Sequence, residues 1–162
     1  MTAAVALASA RARAEVDPRW RYSAELSPAV ALPFGEVTAS KGKAISLPTG
    51  SVAFELRAAF FAPVAENRQL GGAVWWDTQG DVRVHGAMRF ISDFVGSPIS
   101  TRLELGIVAD VQPQFSIGPR VAVGLADELA PGWSVGGELG AAFLFVHFAA
   151  VLDASATIAF MF

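Results

Sequence analysis

Arg57, Arg83, His85, Arg102, Glu104, Arg120 and Glu138 are the residues of this chain whose types could do chemistry together. Each stands in a segment where polar or small residues alternate with apolar ones, so all of them fall on the polar parity of extended strands. Arg21, Glu25, Glu55, Asp77, Arg89, Asp110 and Asp153 share that parity, and little else on it is large; the neighbours are mostly Gly, Ala and Ser. Small neighbours leave room for long side chains to meet. With turns at Pro113 and between Asp127 and Pro131, Glu104 is expected to oppose Arg120, and Arg120 to oppose Glu138, with His85 near Glu104. Charges enclosed in a narrow interior must pair, because an unpaired one costs several kcal/mol. The expected chemistry is therefore a salt-bridged plug. A polar pore or proton path is the other arrangement the same charges allow, although eight strands enclose a space only just wide enough for side chains.

Catalysis is poorly served. Cysteine is absent, so there is neither a disulfide framework nor a thiolate metal site. The two histidines, His85 and His147, are too few and too scattered for a metal site without carboxylate help. A Ser–His nucleophile pair would need one of them beside a rim serine, and no local motif singles one out. Gly136 and Gly137 lie in a strand with no following helix, so they are no phosphate cradle. The chain is expected not to be an enzyme and to need no cofactor.

Composition narrows the partners. The chain is 53% hydrophobic with a mean hydropathy of +0.45, yet no run approaches the ~18 to 20 apolar residues of a spanning helix. A net charge of −3 and a pI near 5.3 argue against a nucleic-acid partner, which would want a basic patch.

The elements that must position the charges read as strands. Residues 1–14 are Ala-rich and end in Ala12-Arg13-Ala14, a small-x-small pattern, and are taken as a signal-peptide remnant or an N-terminal arm, leaving 15–162 as one domain. Alternation over 19–27 predicts the first strand. Residues 28–50 hold Pro28, Pro33, Pro48 and the only lysines, Lys41 and Lys43, and are expected to form the longest loop, extended by a hairpin around Val37 and Ile45. Further strands are expected over 51–61, 70–77, 82–90, 99–110, 115–125, 133–145 and 151–162. A connector with Pro63 and Asn67 follows the second, and Thr78-Gln79-Gly80-Asp81 makes a tight turn between the third and fourth. Pro119 is expected to force a bulge, or to mark where its strand begins.

On the last of these strands Leu152, Ala154, Ala156, Ile158, Phe160 and Phe162 share one face, against Asp153, Ser155, Thr157, Ala159 and Met161. A closing strand of alternating apolar residues that finishes in Phe resembles that of bacterial outer-membrane β-barrels, and the whole set of strands resembles the small OmpA/OmpX-type barrels. The resemblance implies an all-β, closed up-and-down antiparallel transmembrane barrel of about eight strands in the bacterial outer membrane. It implies lipid on the apolar face and an assembly machinery that recognises Ile158, Phe160 and Phe162. It also puts both ends in the periplasm, so 28–50 lies outside the cell as a surface for a protein partner. The expected role is structural, anchoring or partner-binding; a narrow channel for ions or small solutes, or a soluble lipocalin-like binding barrel, are the alternatives.

Overall fold

The computed structural model of the protein describes residues 21–34, 37–39, 43–45, 52–78, 80–94, 97, 99–112, 115–145 and 149–162. Residues 1–14 and His147, singled out above, lie outside them. The strands are β1 (Ser23–Phe34), β2 (Val37–Ala39), β3 (Lys43–Ile45), β4 (Ala53–Ala65), β5 (Arg68–Asp77), β6 (Val82–Asp93), β7 (Ile99–Gln112), β8 (Ser116–Ala130), β9 (Trp133–Leu144) and β10 (Ala149–Met161). Eight of them close an antiparallel barrel in the order β1-β10-β9-β8-β7-β6-β5-β4, with β4 returning to β1. The remaining pair, β2 and β3, forms the hairpin expected around Val37 and Ile45, in register Val37↔Ile45. The barrel strands run 10 to 15 residues, enough for the ~9 to 11 of a tilted spanning strand.

The period of two decides which side chains enter. In β4 Ala53, Glu55, Arg57, Ala59 and Phe61 are buried inside, while Phe54 and Phe60 face out. Outward positions of the eight barrel strands over 24–32, 54–60, 70–76, 84–90, 99–111, 117–125, 133–143 and 150–162 carry no charged side chain. Near the end of the barrel where β1 starts and β10 finishes, five outward rings gather: Tyr22, Phe60, Phe162, Phe160 and Trp133, with centroids 5.0 to 6.5 Å apart between neighbours.

Among the differences from the expected strands, four have a backbone reason. The first strand does not stop at Ser27 but continues through Pro28 and Pro33 to Phe34. Pro28 pairs with Leu56 of β4 on one side. On the other, the β10 ladder lapses between Leu26↔Ile158 and Ala29↔Ser155 without changing register, so the missing N–H interrupts the ladder only locally. Ser27 Oγ and Thr157 Oγ1 share a hydrogen bond of 2.9 Å at that gap, inside the barrel. Likewise, β8 begins at Ser116 and passes Pro119 with no bulge, since the β7 ladder runs straight through Ile107↔Pro119. The loss falls toward β9, whose ladder starts at Arg120↔Ala142, and Phe145 N–H to Ile117 O (3.0 Å) keeps the same register beyond the proline.

The other two boundaries are longer strands. β4 extends past Pro63, with a register irregularity before Ala65, so the connector shrinks to a turn at Glu66 and Asn67, the latter at φ 60°. β8 extends past Asp127 to Ala130, with an irregularity after Glu128, and the turn moves to Pro131 and Gly132, where φ is +81°. The turn before β6 is where it was expected: Gly80 has φ +91°, and Asp81 N–H donates to Asp77 Oδ1 at 2.8 Å.

Candidate functional site

The barrel interior brings four arginines to four carboxylates. Glu104, 1% exposed, accepts from Arg57 Nη2 (3.0 Å to Oε1), Arg89 Nη2 (3.0 Å to Oε2) and Arg120 Nη1 (3.1 Å to Oε1). Glu138 Oε1 accepts from Arg57 Nη1 at 3.1 Å and Arg120 Nη2 at 2.8 Å. Among the described residues Asp153 is ion-paired with Arg120 alone, through Nη2 at 2.6 Å and Nε at 3.3 Å. Glu25 is held by Arg89 (Nη2, 2.9 Å) and Arg102 (Nη1, 3.3 Å). Arg57, Arg89, Arg102 and Arg120 thus balance Glu25, Glu104, Glu138 and Asp153. A buried set of this kind stands only when each charge has partners, because the desolvation of each ion is repaid by short, well-aligned contacts.

Aromatic faces complete the solvation that water would give the guanidiniums. Trp75 lies with Arg57 and Arg120 at 5.0 and 5.2 Å from its rings, and Arg89 stands 3.6 Å from the centre of the Phe61 ring. Such contacts contribute roughly 2 kcal/mol when desolvated. Glycine provides the space: a Cβ on Gly140 would collide with Arg120 Nη2 and the Asp153 carboxylate, and one on Gly106 would collide with His85 Nε2.

Of the residues singled out from sequence, Arg57, Arg102, Glu104, Arg120 and Glu138 meet in this network. His85 joins its edge, with Nδ1 3.3 Å from Glu104 Oε1 and the ring 5.3 Å from Trp75. Arg83 does not: it pairs with Asp110 (2.7 Å) and Glu55 (3.3 Å), nearer the end where β5 turns into β6. The direct oppositions do not occur either. Glu104 faces Ala122, and Arg120 faces Gly106 on one side and Ala142 on the other. The turns sit later than expected, by an even number of positions in pairing, so parity survives while partners shift. Arg120 still reaches Glu104 and Glu138 because arginine is long and barrel strands are staggered.

Glu25, Arg89 and Asp153 were on the inward parity without being assigned to the network. Trp75 and Phe61 contradict the expectation that little else inside is large, since they are 2% and 0% exposed. Phe61 follows the strand-two parity, a signal present in the sequence. Ile158, Phe160 and Phe162 all face outward on or beside β10.

At the β5–β6 end the balance tips negative: Glu55, Asp77, Asp81 and Asp110 surround Arg83. Burial, and then the charges of Asp77 and Asp110, push the Asp81 carboxyl above its ordinary value. Among the described residues no group of three or more His, Asp or Glu is arranged to hold a metal ion, and no helix is long and apolar enough to cross a membrane. Among the described residues the interior charges are arranged in ion pairs.

No family model matches the chain, and no curated protein does. Among solved structures, the barrel is similar to a de novo designed transmembrane β-barrel, at 10% identity and TM-score 0.58, over 86% of this chain and 95% of that one. It is also similar to Neisserial surface protein A, at 15% identity and TM-score 0.57, over 87% and 97%. At these identities the likeness is one of fold: a closed, eight-stranded, antiparallel barrel of the transmembrane type, as expected from the sequence.

Proposed function

We propose that the protein is an integral barrel of the bacterial outer membrane with a structural, anchoring or partner-binding role, its interior closed by its own charges. One observation carries the reading: the outward surface is uncharged around its girth, while the inside holds balanced ion pairs. In water such a belt would far exceed the few hundred Å² of contiguous apolar patch that soluble monomers expose; in lipid it is the required surface. A soluble lipocalin-like barrel would need the reverse polarity. The inward side chains interlock across the lumen, which supports a plug over a channel. On this reading Ile158, Phe160 and Phe162 are the assembly signature met by the barrel assembly machinery, and the β1–β4 connection within 28–50 is the face offered to a protein partner outside the cell.

Fractionation tests it. The protein should sediment with outer membranes, resist extraction by alkaline carbonate, and migrate faster on gels when unboiled. Recovery in the soluble fraction, with one mobility before and after boiling, would overturn the reading.

A further inference from the structure

The outward face of β8 to β10 is not evenly filled. Across it the register sets Val123 beside Leu139 and Leu139 beside Ala154; in the next row it sets Leu125 beside Gly137 and Gly137 beside Ala156. Gly137, Ala154 and Ala156 are too short to rise to the height of their leucine and valine neighbours, and a groove of about 840 Å³ opens over them. Gly137 sets its depth. A Cβ there would meet Ser155 O alone, at 3.5 Å, so the position has room for a side chain it does not carry.

One charge stands at the end of the groove. Asp127 follows Leu125 on the same face of β8, roughly 7 Å further along the strand. Its pairing partners on either side, Ile99 and Val135, are apolar. It is the first charged outward position on β8 after the uncharged stretch 117–125. Among the described residues neither an ion pair nor a hydrogen bond engages its carboxylate.

From this pairing of groove and carboxylate we propose that the face seats one phospholipid with a primary-amine headgroup, its acyl chain in the groove over Gly137 and its ammonium on Asp127. The inference rests on the reading that the outward belt faces lipid. The volume falls within the ~300 to 1,000 Å³ of small-molecule sites. A second copy of the chain is a poor occupant, since two rows across three strands cover roughly 200 Å², against the ~800 Å² per partner of a stable interface. Charge picks the headgroup. A primary ammonium donates a charge-assisted hydrogen bond to a carboxylate; a quaternary ammonium has no N–H to give, and an anionic headgroup is repelled.

The test titrates the folded barrel, in micelles of an uncharged detergent, with phosphatidylethanolamine or with phosphatidylcholine of the same chains, and follows backbone amide signals by NMR. Phosphatidylethanolamine should shift Leu125, Gly137 and Ala156 saturably and leave Leu70 and Val74 on β5 unmoved, and phosphatidylcholine should bind at least about threefold more weakly. Asp127→Asn should remove that preference while the groove signals still shift. Gly137→Leu, which fills the groove, should abolish saturation by both lipids. Shifts that do not saturate, that appear equally on β5, or that are equal for the two lipids in the wild type would overturn the seat, as would a preference that survives in Asp127→Asn. Shifts that appear on raising the protein concentration without lipid would give the groove to a second copy and overturn it too. Failure here in a protein that fractionates with outer membranes would remove the seat and leave the membrane reading standing, whereas recovery in the soluble fraction would remove both. The wild-type titrations decide the matter even where a variant fails to fold.

Discussion

Tyr22 and Phe162 exchange backbone hydrogen bonds in both directions, Tyr22 N–H to Phe162 O at 3.0 Å and Phe162 N–H to Tyr22 O at 3.1 Å, while their rings stack with centroids 5.8 Å apart. The pair carries on the β1–β10 register by one rung past Ser23↔Met161. Met161, one residue earlier, faces inward; Phe162 faces outward and also meets Phe60 and Phe160.

Phe162→Asp should therefore impair barrel assembly more than Met161→Asp does, since it removes an outward ring from the seam and puts a charge on the lipid parity. The yield of heat-modifiable protein in the membrane fraction measures this, and equal yields for the two variants would separate the seam from assembly.

Arg120→Ala should destabilise the barrel by roughly 3 to 5 kcal/mol, the scale of breaking a buried pair from one side. Its rescue discriminates among partners. Arg57 still bridges Glu104 and Glu138 in that variant, but Asp153 loses the arginine that holds it. Asp153→Asn should recover more stability than Glu104→Gln with Glu138→Gln, and urea unfolding in detergent ranks the two. Better rescue by the glutamine pair would mean that the charges divide differently.

Gly140→Ala should cost roughly 1 to 3 kcal/mol, as overpacking does, because the new methyl would enter the Arg120–Asp153 contact. Gly86→Ala, on the outward face with open space around its Cα, should change stability by less than about 0.5 kcal/mol. The same unfolding curves compare them.

The faces of the barrel were legible in the sequence because a period of two assigns every side chain of a strand once one is known. Partners were not, since register depends on where a turn bends. Pro131-Gly132 placed the β8–β9 turn beyond Asp127, and Arg120 thereby came to face Ala142. Nor do prolines announce their rungs: Pro28 and Pro119 each interrupt the ladder locally on a single side, which alternation cannot show. Trp75 was hidden by its neighbour, as adjacent Trp75 and Trp76 must face opposite ways and only the fold shows Trp75 covering Arg57 and Arg120.

On the proposed orientation, the β1–β4 connection faces the outside of the cell. Protease added to intact cells should cut near Lys41; cleavage only after rupture would invert the topology.

The closed interior is tested most directly by conductance. Protein whose folding into liposomes is verified by heat-modifiable mobility should, on fusion with a planar bilayer, give no steady unit conductance if, as proposed, the four arginines and four carboxylates that pair inside the barrel also close it. Stable, ion-selective steps whose selectivity reverses in Arg120→Ala would show instead that water and ions pass along these charges, and the plug would have to be abandoned.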